Sequence, residues 1–218
     1  MNLINPWLKL DTSANSYLLD EDREAIARYN FLSRDPKKRV ILDSIPEPFI
    51  GNPDSAKVVL LGLNPGHSEN DRKAHDNPDF RKAMFHNLRR EKQDYPFYPL
   101  NPKFGWTGAG KWWLKRTSEL REAVGGDPST LAERLLVIEW FPYHSERSGL
   151  STKRVCESQE YSFQLAKKML EEKLVIGMRS KPNWVKVDKR FGQVPFLNSP
   201  QNTYITKGNM DCPSRGRT

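Results

Sequence analysis

Nine residues constrain this chain more than any others: Val58-Val59-Leu60-Leu61-Gly62-Leu63-Asn64-Pro65-Gly66. A short apolar run stops abruptly at Gly-Leu-Asn-Pro-Gly. The run lacks polar alternation, which predicts a strand covered on both faces, as in a parallel sheet with helices on either side. Gly62 and Gly66 permit backbone geometries that side chains forbid, and Pro65 fixes its own φ and removes a donor. Asn64 is thereby expected at the carboxyl end of a buried strand, where open α/β sheets place their ligands. The same residues also suit an ordinary Asn-Pro-Gly turn. Support for a site must come from elsewhere in the chain.

The chain has 218 residues, enough for one domain with a sizeable core, and 6 Trp, 7 Tyr and 10 Phe supply large buried area. Residues 1–44 read as an N-terminal helical extension and 45–218 as the α/β/α domain. No run is long and apolar enough to span a membrane. Met1 to Leu10 lacks a basic region followed by an apolar stretch, so no secretory signal is expected. Cys156 and Cys212 are too few for an all-cysteine iron–sulfur cluster or a Cys-rich zinc site, and they suit a reducing, cytoplasmic setting. His67, His75, His86 and His144 show no metal-ligand spacing and read as surface or hydrogen-bonded histidines. No phosphate-binding Gly-rich loop follows any strand. No metal or other cofactor is expected.

The net charge of +8 is unevenly placed. Residues 151–218 hold 13 Lys+Arg against 6 Asp+Glu, a balance of +7; the first 150 hold the remaining 22 and 21, a balance of +1. A basic third on a near-neutral body fits a polyanion footprint. It equally fits a solvated lysine-rich face.

Periodicity and caps predict a helix from Asp20 to about Phe31 and another opened by Asn77-Pro78, running to about Glu91 with Phe80, Met84 and Leu88 on one face. Residues 94–109, dense in Pro, Gly and aromatics, read as a long loop. A helix over about 110–124 should stop at Gly125-Gly126. Asp127-Pro128 should open a short helix, and a further helix is expected around 155–172. Leu135–Ile138 and Leu174–Gly177 are the second and third buried strands, and residues 193–197 a weaker fourth. The expectation is a three-layer α/β/α sandwich on a four-stranded, mainly parallel sheet.

The chain resembles the uracil-DNA glycosylase superfamily, nearest the single-strand-selective and mismatch-specific branches. Their first motif reads Gly-Met-Asn-Pro-Gly or Gly-Ile-Asn-Pro-Gly; here it is Gly62-Leu63-Asn64-Pro65-Gly66. The last motif of the single-strand-selective branch reads His-Pro-Ser-Pro-Arg-Asn, four residues, then Lys-Gly; here Ser199-Pro200-Gln201-Asn202 is followed, after four residues, by Lys207-Gly208. The strand ending Gly177-Met178-Arg179 is also similar. The likeness spans roughly residues 45–210.

The resemblance implies a monofunctional, metal-independent enzyme that flips a deaminated or damaged base out of DNA and hydrolyses its N-glycosidic bond. A monomer acting on single-stranded or damaged duplex DNA is implied. Asn64 matches the residue that orients water, with Gly62, Leu63, Pro65 and Gly66 around the base. Two tasks depart from the pattern. The base-reading Asn is replaced by Glu139, which as a carboxylate offers acceptors only; it would alternatively pair with Arg147 or Arg179. The catalytic His falls at Leu197, or, with a loop one residue shorter, its place passes to Asn198, which can donate only a neutral hydrogen bond. Phe97 or Tyr98 would stack on the base. Ser199 and Gln201, beside Asn202, would touch phosphates, and Tyr204 or Ile205 would wedge into the stack. Lys207, Arg179, Lys181, Lys186, Lys189 and Arg190 would supply the phosphate field. The departures leave a second reading open: the same fold with degraded catalysis, retained as a nucleic-acid-binding protein.

Overall fold

The computed structural model describes residues 3–199 and 201–210. Pro200 of the last motif and Cys212 lie outside the described residues. Four strands form one sheet: β1 (Phe49–Ile50), β2 (Val58–Leu61), β3 (Leu135–Ile138) and β4 (Leu174–Gly177), in the order β1-β3-β2-β4. β2 runs parallel to both β3 and β4, and β1 is antiparallel to β3. All four residues of β3 are fully buried. Successive strand side chains point to opposite faces, so both faces are covered. The architecture is α/β with a mostly parallel sheet.

Eight α-helices surround it: α1 (Arg23–Leu32), α2 (Glu69–Asp76), α3 (Pro78–Arg89), α4 (Gly108–Arg116), α5 (Ser118–Ala123), α6 (Pro128–Arg134), α7 (Gln159–Glu172) and α8 (Lys181–Val187), counted among the described residues. Local chemistry explains several starts. Asn77 accepts the Phe80 N–H at 3.0 Å, with Pro78 at the first helical position. Ser68 and Asp71 close a reciprocal capping box on α2. The expected helix over 110–124 divides at Thr117, whose backbone leaves helical geometry; its N–H and its hydroxyl both donate to the Trp113 carbonyl, at 3.0 and 2.7 Å. The helix expected from 155 begins at Gln159, because the Gln159 side chain accepts the N–H groups of Val155 and Cys156.

The fourth strand is not the one expected. Residues 193–197 contribute a single parallel bridge, Phe196 to Gly177, beyond the edge of β4. β1 completes the sheet instead. Two residues between Pro48 and a positive-φ Gly51 gave too short an apolar pattern to register as a strand. The N-terminal segment packs into the same core: Trp7, Tyr17, Leu19 and Ile26 belong to one buried cluster with the sheet. Buried Asp22 anchors it, accepting the Tyr143 hydroxyl at 2.6 Å and the Ser158 N–H at 3.0 Å.

The register is what positions the site. Leu61 stands opposite both Ile138 and Gly177. The parallel strands therefore end level, and Gly62, Glu139 and Met178 emerge side by side at the carboxyl edge. Bonds continue past the strands, from Gly62 N–H to Ile138 O and from Met178 N–H to Leu61 O, each 2.9 Å.

Candidate active site

A cavity of about 400 Å3 opens at this edge. Gly62, Leu63, Asn64, Pro65 and Gly66 line it, together with Glu139 and Arg179 from the neighbouring strand ends. Glu47, His75 and His144 line it as well, and Phe80, Trp112 and Trp113 give it apolar wall.

The Asn64 amide is oriented by its neighbours. The Ser145 hydroxyl donates to Arg147 O at 3.0 Å, so its oxygen is left to accept. Asn64 Nδ2 donates to that oxygen at 2.9 Å and to Pro65 O at 3.1 Å. Both amide protons are thereby directed at protein acceptors, and Oδ1 bonds nothing among the described residues. An acceptor held this way can receive a proton of one water and aim its lone pair.

Glu139 lies flat over Gly62. A Cβ added to Gly62 would stand 2.1 Å from Glu139 Oε2 and 2.5 Å from Cδ, so a side chain here would displace the carboxyl. The Gly62 backbone cannot yield, since its carbonyl also accepts the Trp184 indole N–H at 2.8 Å. Gly66 differs: an added Cβ would meet nothing within 4 Å.

Glu139 Oε2 is buried with no hydrogen-bond partner. Neither Arg147 nor Arg179 forms an ion pair with it among the described residues. Burial pushes its carboxyl up to about 8, against the opposing pull of the Arg179 charge. At neutral pH the acid form therefore dominates. A neutral carboxyl offers one donor and one acceptor, the same pair that an Asn amide offers. The neutral carboxyl thus presents a donor as well as an acceptor, where a carboxylate would present acceptors only.

Glu47 escaped the sequence reading, in which His75 and His144 read as surface or hydrogen-bonded histidines and not as cavity residues. Glu47 arrives from the approach to β1, and its carboxyl bonds the Tyr98 hydroxyl and lies 3.5 Å from His144 Nε2. Burial, then the charge of Asp71 and, once it ionises, that of Glu139, holds its carboxyl well above the usual range. The rings of His67, His75 and His144 stand 5.3 to 5.8 Å apart, edge to face. Burial lowers His144 to about 4 and His75 to about 2, and lowers His67 as well. His144 faces a carbonyl from each nitrogen, Gly66 O at 2.8 Å and Ile45 O at 2.9 Å, and as a neutral ring it donates to one of them. Among the described residues no three His, Cys, Asp or Glu side chains are arranged to hold a metal ion. No sequence signal placed Glu47, His75 or His144 at this cavity.

The remaining candidates lie elsewhere. Phe97 is fully buried against Trp113, ring centroids 4.8 Å apart, and does not line the cavity. Tyr98 reaches it only through Glu47. Asn198 is exposed; its amide donates to Gly208 O at 3.3 Å and its backbone N–H to Asn209 O. Leu197 is buried in the core. Ser199 bonds Gln201 at 3.0 Å, and the Asn202 carbonyl accepts the Asn209 amide at 2.8 Å. The Lys207 backbone N–H donates to Glu119, and the Lys181 ammonium sits 5.4 Å over the Phe196 ring. Ile205 is buried, whereas Tyr204 stacks on the Arg116 guanidinium at 4.7 Å. The edge segment thus closes on itself and on α4–α5.

A second depression, about 440 Å3, adjoins the cavity and shares His67, Ser68 and Glu146 with it. Lys37, Arg72 and Arg147 line it, with Glu69. These cations belong to the near-neutral first 150 residues, where the charge count gave no hint of them.

No helix of the described residues is long and apolar enough to cross a membrane. No protein-family model matches this chain, and neither a curated protein nor a solved structure matches it.

Proposed function

We propose that the cavity takes a nucleobase swung out of a DNA strand and that the protein hydrolyses its N-glycosidic bond. One observation carries this reading. Asn64, with a free and oriented amide oxygen, and Glu139, with a buried and unpartnered carboxyl, line one cavity at the carboxyl ends of parallel strands. A buried polar atom without a partner is costly unless a ligand satisfies it. The volume suits a base and its sugar, and Trp112 and Phe80 give it aromatic wall. Asn64 would direct water at the anomeric carbon as the base departs, and Glu139 would pair with a donor–acceptor edge of the base. The depression lined by Lys37, Arg72 and Arg147 would take flanking phosphates.

A binding-only reading has one observation in its favour: Asn198 does not line the cavity, so that segment supplies no group to steady a leaving base. One assay separates the two. The protein is incubated with single- and double-stranded oligonucleotides carrying uracil, hypoxanthine, xanthine or a mismatched thymine, and abasic sites are then cleaved with alkali. Strand scission at one of these bases is expected. Salt-sensitive binding with no scission from any substrate overturns the enzyme reading and leaves the binding one.

A further inference from the structure

We propose that Glu47 is the general acid of this cavity, protonating the base as it leaves. The assignment rests on the N-glycosidase reading above, and no sequence motif points to it. Glu47 is 9% exposed and lines the cavity. Its backbone N–H bonds Pro142 O and the next carbonyl, Pro48 O, accepts the Glu139 N–H, each at 2.9 Å, so Glu47 and Glu139 are held at the same edge of the sheet. The Tyr98 hydroxyl donates to Oε1, which directs the acidic proton to Oε2. Oε2 faces His144 Nε2 at 3.5 Å, and that ring is fixed between two backbone carbonyls.

Glu139 is the other buried acid, and it suits the role less. A general acid must be tolerable in both protonation states. Ionised Glu139 would leave Oε2 bare. Ionised Glu47 would keep the Tyr98 hydroxyl on one oxygen and an imidazole beside the other. The groups facing Glu47 are Asp71 from α2, Glu139 beyond β3, Tyr98 and His144; burial first, then the Asp71 charge, raises its carboxyl well above the usual range.

The step balances without a further reactant. The bond between the anomeric carbon and the base nitrogen breaks, and its electron pair goes to the base. The Oε2 proton transfers to the base, leaving the Glu47 carboxylate. The water held by Asn64 forms the new carbon–oxygen bond, and the proton it sheds restores the acid. One water is consumed; the products are the neutral base and an abasic sugar.

The test compares the base that the wild type releases best with a ring-fluorinated analogue, which departs more readily as an anion. Glu47→Gln keeps the volume and the acceptor for Tyr98 but has no proton to give. Its kcat on the ordinary base should fall by about 100-fold or more, with KM within about threefold and the melting temperature near wild type. On the fluorinated base the loss should shrink to under about tenfold, since less protonation is needed. Tyr98→Phe, which only unsettles the carboxylate, should lose about five- to tenfold with the same dependence on leaving group. Activity of E47Q within threefold of wild type overturns the assignment, as do equal losses by both variants on the two bases. Release of no base by the wild type overturns the glycosidase reading and this assignment together.

Discussion

Two segments of this chain carry an Asn just beyond a strand or bridge, and they end in opposite situations. Asn64 follows β2, a strand hydrogen-bonded on both sides, and lines the cavity with its amide held by Ser145. Asn198 follows the Phe196 bridge, outside β4, and is exposed with its amide on Gly208. Neighbouring strands lie about 4.8 Å apart, so two steps outward from β2 displace a side chain by about 10 Å. That exceeds the reach of an Asn. Position in the sheet, rather than the local motif, separates a cleft residue from a loop residue.

The sharpest expected difference lies in pH. Glu139 has a folded pKa of about 8, above its usual carboxylate value. Its neutral form stabilises the fold below about pH 4.5, and that contribution is lost as pH rises to 8. Glu139→Gln cannot ionise, so it should gain on the order of 4 kcal/mol over wild type between pH 4 and pH 9. His75 has the opposite sign. Its folded pKa of about 2 lies below that of a free imidazole, so stability is lost as pH falls below about 6.5, where the unfolded chain takes up the proton first. Denaturant melts across this range test both limbs. A variant curve parallel to wild type above pH 5 would show that Glu139 is not held neutral.

Next in size is activity. Asn64→Ala should lower base release by about 100-fold, roughly 2.7 kcal/mol of barrier, while DNA affinity changes little. Asn198→Ala should stay within threefold. Comparable losses at both positions would erase the distinction between central and edge segments.

The smallest contrast pairs the two glycines of the first motif. Gly62→Ala drives a methyl into the Glu139 carboxyl and should cost about 1–3 kcal/mol. Glu139→Ala in the same chain should recover most of it. Gly66→Ala meets open space and should stay within about 0.5 kcal/mol. Thermal melts of wild type, Gly62→Ala, Glu139→Ala and the double variant close the cycle, with Gly66→Ala as the control.

Much of the fold was legible because it is written locally. The unalternating Val/Leu runs gave β2, β3 and β4, and Asn77-Pro78 and Asp127-Pro128 gave two helix starts, since caps and periodicity need only near neighbours. β1 was not legible, since two residues carry no period and its pairing with β3 spans more than eighty positions of chain.

The site divides along the same line. The sequence alone determined that an Asn would stand at the end of a buried strand, because strand, glycine and proline are neighbours in the chain. It also put Glu139 at the end of the next parallel strand. Only the tertiary structure decided that Glu139 is neutral, because a carboxyl's charge depends on its burial and on distant partners. Only the tertiary structure brought Glu47, His75 and His144 to the same cavity, from four separate stretches of chain once Asn64 is included. It also removed Asn198, because strand order, which no local pattern records, put that segment at the sheet's outer edge.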